Sequence, residues 1–302
     1  MSRSIATSLA LAMLTAAPAF AEQGVRSGKV SFYVVAHQDD WQLLMNPAAF
    51  EDVMGGAKTV FVHTTAGDAG LGTGRGGRKH PYYRARENGA EAAVRFMADA
   101  DGIPAVRAVT RVTRNKHALH RVGYRNTVSY FLRLPDGSGL GTGYPKTKFQ
   151  SLKRLADGNI GVLSAIDGSA AYRGWNDLVT TLRAILDFER GRAPQVQISV
   201  SELDAIVNPD DHPDHLSTAK AALDAAAHLG CARRVHYQGY VISQKPENLT
   251  GAQRDMKSAV FGVTLAGVLA FDHRSTFQYY DQRFVGRTYF RAEEGSGPCA
   301  AG

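Results

Sequence analysis

Two short stretches of this 302-residue chain hold residue types at spacings suited to metal-assisted chemistry. The first is Ala36-His37-Gln38-Asp39-Asp40, where a histidine and a carboxylate three residues apart on one turn can point at a single cation, with Asp39 beside it and free. The second is Asp210-Asp211-His212-Pro213-Asp214-His215. At helical spacing His212 and His215 share a face, so one can ligate while the other serves as an acid or an oxyanion donor. Read separately, an Asp-Asp pair at a helix start is a cap and His-Pro-Asp-His is a solvated turn. Read together, they supply two histidines and a carboxylate with an open fourth position, a ligand set that suits catalytic zinc.

Such side chains need a scaffold that joins distant segments. Lys29 to Ala36 is a nearly continuous apolar run, Val30, Phe32, Tyr33, Val34 and Val35, as expected of a strand buried on both faces of a parallel sheet. The first motif begins at its carboxyl end, where ligand sites gather in open α/β sheets. The pattern predicts helix within Trp41 to Met54 and strand at Lys58 to Thr64. After a Gly-rich loop it predicts a helix with Pro81 in its first turn. From Ala105 to Leu134, Val, Thr, Tyr and Phe are separated by polar residues and end in Pro135-Asp136-Gly137, predicting a β-hairpin or small antiparallel insertion. Gly137 to Lys148 reads as a loop over a site. Helices are expected at Trp175 to Phe188 and Pro213 to His228, strands at Val196 to Val200 and His236 to Ile242, and mostly helix thereafter. The fold class is therefore α/β: a doubly wound, mostly parallel, Rossmann-like sheet with a small antiparallel β insertion. No linker divides residues 22–302, so they are expected to form one domain.

Arg3, the apolar stretch from Ile5 to Leu14 and Ala19-Phe20-Ala21 form a secretory signal pattern, with cleavage expected after Ala21. The apolar part is shorter than the roughly 20 residues of a spanning helix, and no later stretch is long enough, so the expected location is the periplasm or outside the cell. The chain carries a net charge of +7, but its Lys and Arg are scattered, without a basic stripe interleaved with aromatics, which argues against nucleic acid as a partner. A solvated basic surface, facing an anionic glycan or envelope, is the plainer reading. Cys231 and Cys299 are the only cysteines. They exclude a four-thiolate zinc site and leave open whether the two pair in an oxidising compartment.

With these motifs the chain resembles the PIG-L or LmbE-like deacetylases, which act on N-acetylglucosaminyl-phosphatidylinositol and in mycothiol and bacillithiol synthesis. The family's Ala-His-Pro-Asp-Asp-Glu stands here as Ala36-His37-Gln38-Asp39-Asp40-Trp41, and its His-Pro-Asp-His as His212-Pro213-Asp214-His215. Its intermediate pattern appears as Thr65-Ala66-Gly67-Asp68-Ala69-Gly70 and Arg84-Ala85-Arg86-Glu87, so the match covers residues 30–215. The resemblance implies that His37, Asp40 and His215 bind one Zn2+ per chain and that Asp39 is the general base. It also implies that His212, oriented by Asp214, stabilises the oxyanion or protonates the leaving amine. The implied substrate is a small molecule or glycan carrying an N-acetyl group. Fe2+ fits the same ligands. The chemistry agrees, since zinc polarises an amide oxygen and lowers the pKa of water to about 7.

Two positions depart from the family pattern, Gln38 for proline and Trp41 for glutamate. Trp41 removes a carboxylate that orients ligands, and its ring either shapes a sugar-binding rim or packs in the core. Arg84 is a candidate grip on substrate, or an ion-pair partner of Glu87 or Asp68. His63 and His80 are candidates to approach the site, or packed residues. Gly72-Thr73-Gly74-Arg75-Gly76-Gly77 satisfies a dinucleotide fingerprint on paper but does not directly follow its strand, so a flexible loop beside the cleft explains it better. Two alternatives stay open: a catalytically silent carbohydrate-binding relative, and an exported metal-dependent esterase or phosphoesterase. The latter lacks in sequence a second carboxylate cluster for two metals.

Overall fold

The computed structural model describes residues 25–100, 102 and 105–300; the signal pattern of residues 1–21 lies outside them. The chain runs β1 (Lys29–Val35), α1 (Ala48–Met54), β2 (Lys58–Thr65), α2 (Tyr82–Ala98), β3 (Ala108–Arg114), β4 (His117–Tyr124) and β5 (Thr127–Leu134). It continues with α3 (Leu152–Ala156), β6 (Val162–Ser164), β7 (Ala171–Arg173), α4 (Trp175–Arg190), β8 (Gln195–Ser201) and α5 (Pro213–Ala225). It ends with β9 (Arg233–Tyr237), α6 (Gly251–Leu269), α7 (Phe277–Phe284) and β10 (Phe290–Glu293).

Eight strands form one sheet in the order β10-β9-β8-β1-β2-β5-β4-β3, and β6 and β7 make a small antiparallel pair. The five central strands are parallel, and the edges are antiparallel. Side chains alternate across a strand, so β1 feeds both faces. Val30, Phe32 and Val34 enter one core layer with Leu182 and Ile185 of α4 and Ala222 of α5. Tyr33 and Val35 enter the other with Met97 of α2 and Phe261 of α6. Each such buried side chain contributes about 1.5–3 kcal/mol, which explains why β1 reads as an unbroken apolar run.

From β1 the chain builds outward through β2 to β5 and then returns to lay β8 on the other side of β1. That reversal opens a crevice beyond the carboxyl ends of β1 and β8, where open α/β sheets bind ligands. The first motif follows β1 and the second follows β8, so the topology brings them together.

Several boundaries differ from the sequence pattern. The region from Ala105 to Leu134 holds three strands, and β5 pairs in parallel with β2, so the β3–β4 hairpin extends the main sheet. Trp41 to Met54 is split into a π-helical turn, Trp41–Met45, and α1, because Asn46-Pro47 interrupts the backbone hydrogen bonding. The late strand stops at Tyr237, and a 3-10 turn follows at Tyr240–Gln244. The two cysteines are joined as a Cys231–Cys299 disulfide with Cα atoms 5.1 Å apart, fixing the C-terminal tail beside β9. No helix among the described residues is long and apolar enough to cross a membrane.

Candidate active site

At the crevice three donor atoms meet: His37 Nδ1 and His215 Nε2 are 3.2 Å apart, His215 Nε2 and Asp40 Oδ1 3.2 Å, and His37 Nδ1 and Asp40 Oδ1 3.4 Å. All three residues are buried. A tetrahedral ion bound at about 2.0–2.1 Å separates its ligands by about 3.3 Å. The three atoms have that spacing, so the donor set fits a zinc-sized cation with one position left for solvent or substrate.

The neighbours fix each donor's lone pair. His215 Nδ1 lies 2.8 Å from Asp211 Oδ1, so the ring donates there and turns Nε2 to the centre. Asp40 is anchored by the His37 backbone N–H at 2.7 Å. His37 Nε2 faces Asp214 Oδ2 at 3.5 Å, and that oxygen also accepts the Gly137 N–H at 2.8 Å. Burial alone would lower both imidazoles. The Asp40 charge and hydrogen bonds from the ring to Asp214 and Asp40 instead raise His37 to about 10, while Asp40 and Asp211 hold His215 well above its ordinary value. Burial would raise Asp40, yet His215 and His37 keep it well below the carboxylate range. A site that holds protons this firmly is one where a cation can replace them.

Asp39 stays outside the triangle and forms an ion pair with Arg86 of α2. His212 caps α5: its Nδ1 accepts the Asp214 N–H at 3.1 Å. The neutral ring therefore carries its proton on Nε2. Burial, reinforced by His37 and His215, lowers its pKa to about 4, so the ring is an uncharged donor near pH 7.

The structure also assembles a second group absent from the sequence reading, His37, Asp136, His212 and Asp214. Most of its atoms are engaged, Asp214 Oδ1 being the buried exception. Asp136 accepts the Ala69 and Ser138 N–H groups, and His212 Nδ1 and Asp214 Oδ2 have the backbone partners described above. These hydrogen bonds make the group a polar surround of His37.

A cavity of about 170 Å3 opens over these residues, with Asp39, Arg86 and His212 in its lining and Tyr144, Tyr240, Tyr280 and Phe284 supplying aromatic surface. A larger cavity, about 550 Å3, opens where β1 and β8 begin, at the opposite end of the sheet, and no histidine lines it.

Two expectations need correction. Trp41 is fully buried and stacks near Phe61 at 4.5 Å, so it belongs to the core and not to a rim. Arg84 binds Glu87 at 2.7 Å and does not line the cavity; the guanidinium there is Arg86. Asp214 holds the His212 ring through its backbone N–H at 3.1 Å, while its carboxylate faces His37 and lies 3.9 Å from His212 Nδ1. His63 is buried and stacked on Phe131, and His80 stacks on Phe271. The reading from sequence missed Asp211, Arg86, Asp136 and the four aromatics. Only Asp211 had a local signal, its i, i+4 spacing to His215.

Fold and site together define a doubly wound α/β protein with a His-Asp-His group that could hold a cation at its topological switch point. No family model matches the chain, and no curated protein matches it. Among solved structures it is similar to N,N'-diacetylchitobiose deacetylase from Pyrococcus horikoshii, at 14% identity over 91% of this chain and 88% of that one, with a TM-score of 0.47. It is also similar to the A40926 pseudoaglycone deacetylase Dbv21, at 15% identity over 82% and 83% and a TM-score of 0.41. The teicoplanin deacetylase Orf2 gives 13% identity over 84% and 89%, with a TM-score of 0.41. At these values the functional reading rests on the site's own geometry.

Proposed function

We propose that this chain is an exported, zinc-dependent hydrolase that removes the acetyl group from an N-acetylated amino sugar or glycoconjugate. The observation that carries this reading is the convergence of His37, Asp40 and His215 with a carboxylate, Asp39, and a neutral N–H donor, His212, on one small cavity. The motif resemblance to the PIG-L or LmbE-like deacetylases supports the reaction class. The N-terminal signal pattern and the Cys231–Cys299 disulfide support an oxidising destination, the periplasm or beyond.

His37, Asp40 and His215 would hold the zinc, which would supply Lewis-acid polarisation of the acetamide carbonyl. Asp39, held in place by Arg86, accepts a proton from water as the water oxygen attacks the acyl carbon. His212 Nε2–H donates to the oxyanion as that carbon becomes tetrahedral. Its neutral, capped state suits this role better than that of a charged acid. When the C–N bond breaks, the proton on Asp39 passes to the amine nitrogen, leaving acetate and a free amine.

Metal content and primary amine release from N-acetylglucosamine oligomers test the reading. One zinc per chain and amine release are expected, with Asp39→Asn keeping the metal and losing about 10²–10⁴-fold in rate. Glycan binding with metal present but no amine or acetate released would replace it with a silent binding protein.

A further inference from the structure

Gln38 stands between His37 and Asp39, and its side chain turns inward: the residue is buried, and Nε2 donates to the Thr65 carbonyl at 2.8 Å. The other end of the amide is unanswered. Oε1 is buried and accepts no hydrogen bond from the described residues, although a buried polar atom is usually paired. Proline, which the family pattern has at this position, offers neither atom. Gln38 is therefore a feature of this chain that the roles of His37, Asp39 and Asp40 do not use.

Two observations show what lies beside that oxygen. A methyl group at Gly67 would lie 2.7 Å from Gln38 Oε1 and 3.0 Å from Arg86 Nε. The amide oxygen and the guanidinium therefore face the same point, at most about two hydrogen-bond lengths apart, a span that one bridging water fills. The second is a cavity of about 20 Å3 whose lining includes Gln38, Asp39, Arg86 and Thr264, room enough for a water. Asp39 and Arg86 also line the catalytic cavity, so their ion pair is the wall between the two. Arg86 Nη2 is committed to Asp39, and Nε lies on the Gln38 side. Gln42 Nε2 fixes the backbone here, donating to the Gln38 carbonyl at 2.7 Å and to the Thr264 hydroxyl at 3.3 Å.

We infer that Gln38 is a positioning residue that acts on Asp39 through Arg86. Its Oε1 accepts a hydrogen bond from a water in the small cavity, and that water accepts the Arg86 Nε–H. The guanidinium is then held on two sides, Nη2 by the Asp39 carboxylate and Nε by the water, which keeps the carboxylate at the wall of the catalytic cavity. The inference rests on the reading of Asp39 as the general base for its consequence, but not for the bridge itself.

A crystal structure of the zinc-loaded wild-type protein that shows ordered water tests the bridge, and a double-variant cycle tests its effect. Density for one water is expected within about 2.6–3.2 Å of both Gln38 Oε1 and Arg86 Nε; clear density for the two side chains with none between them overturns the inference. In amine release from N-acetylglucosamine oligomers, Gln38→Met should lower kcat on the order of tenfold, with KM and zinc content unchanged. Gln38→Met/Arg86→Met should be no slower than Arg86→Met alone, because the amide acts only through the guanidinium. Losses that multiply, or a fall in zinc content in Gln38→Met, would assign Gln38 to the fold or the metal site and overturn the inference. The same cycle read in denaturant unfolding separates it from the deacetylase reading. Coupling between positions 38 and 86 in a protein that releases no amine sinks the deacetylase and supports the bridge; additive losses of stability sink the bridge whatever the activity.

Discussion

His212 and His215 sit one helical turn apart and differ in function because each Nδ1 meets a different partner. The Asp214 N–H donates to His212, whereas His215 donates to Asp211. That makes Asp211 a positioning residue: Asp211→Ala should weaken zinc binding by about 10–100-fold, as read by competition with a chromophoric chelator. An unchanged affinity would remove Asp211 from the account. Trp41→Ala should destabilise the fold by about 3–5 kcal/mol in denaturant unfolding, as expected for an emptied core position; near-wild-type stability would return the indole to the surface. At this scale the sequence was informative wherever a side chain's task depended on neighbours within four residues, as for His37 with Asp40. It was uninformative for Arg86 because Arg84 lies two residues away, about 200° around the same helix. Only the packing of α2 decides which guanidinium reaches Asp39.

Helices α2 and α6 approach closely enough that Gly89 and Gly267 nearly touch, and a methyl group at Gly89 would meet the Thr264 carbonyl oxygen at 2.5 Å. Gly89→Ala should therefore destabilise by about 1–3 kcal/mol, against the gain that alanine brings to an exposed helix; a rise in stability would contradict the close contact. On α6, Lys257 is fully buried and donates to the Arg287 carbonyl at 2.5 Å. Burial, helped by the Arg287 charge, lowers its pKa from 10.5 to about 7. Between those values the unfolded chain binds the extra proton, so this lysine makes stability rise with pH from about 7 to about 10.5 and fall back as pH drops through 7. Lys257→Met should flatten that rise in a Tm-against-pH series, and an unaltered slope would exclude the lysine as its source. The apolar run of β1 made that strand readable. Thr127 and Ser129 hid β5, because a central strand with buried hydroxyls looks like an edge. The short α3 and β6–β7 pair also escaped notice, since periodicity needs more residues than they contain.

Across the whole molecule, the order in which strands join the sheet does most to create the site. Building outward from β1 to β5 and then returning to β8 sets the two motifs, 171 residues apart between Asp40 and Asp211, at one crevice. Sequence order suggested alternating strands and helices but could not give β8 as the neighbour of β1, because pairing is a tertiary choice. The disulfide secures the far end of the same sheet; replacing Cys231 and Cys299 with serine should lower stability by about 2–4 kcal/mol in chemical unfolding, and no change would mean the bond is not formed in solution. If His37, Asp40 and His215 share one cation, anomalous diffraction at the zinc edge from crystals of the metal-loaded protein will locate it among them. One peak within about 2.0–2.2 Å of His37 Nδ1, Asp40 Oδ1 and His215 Nε2 is predicted, and a zinc-loaded crystal with its peak elsewhere and none at these atoms would contradict it.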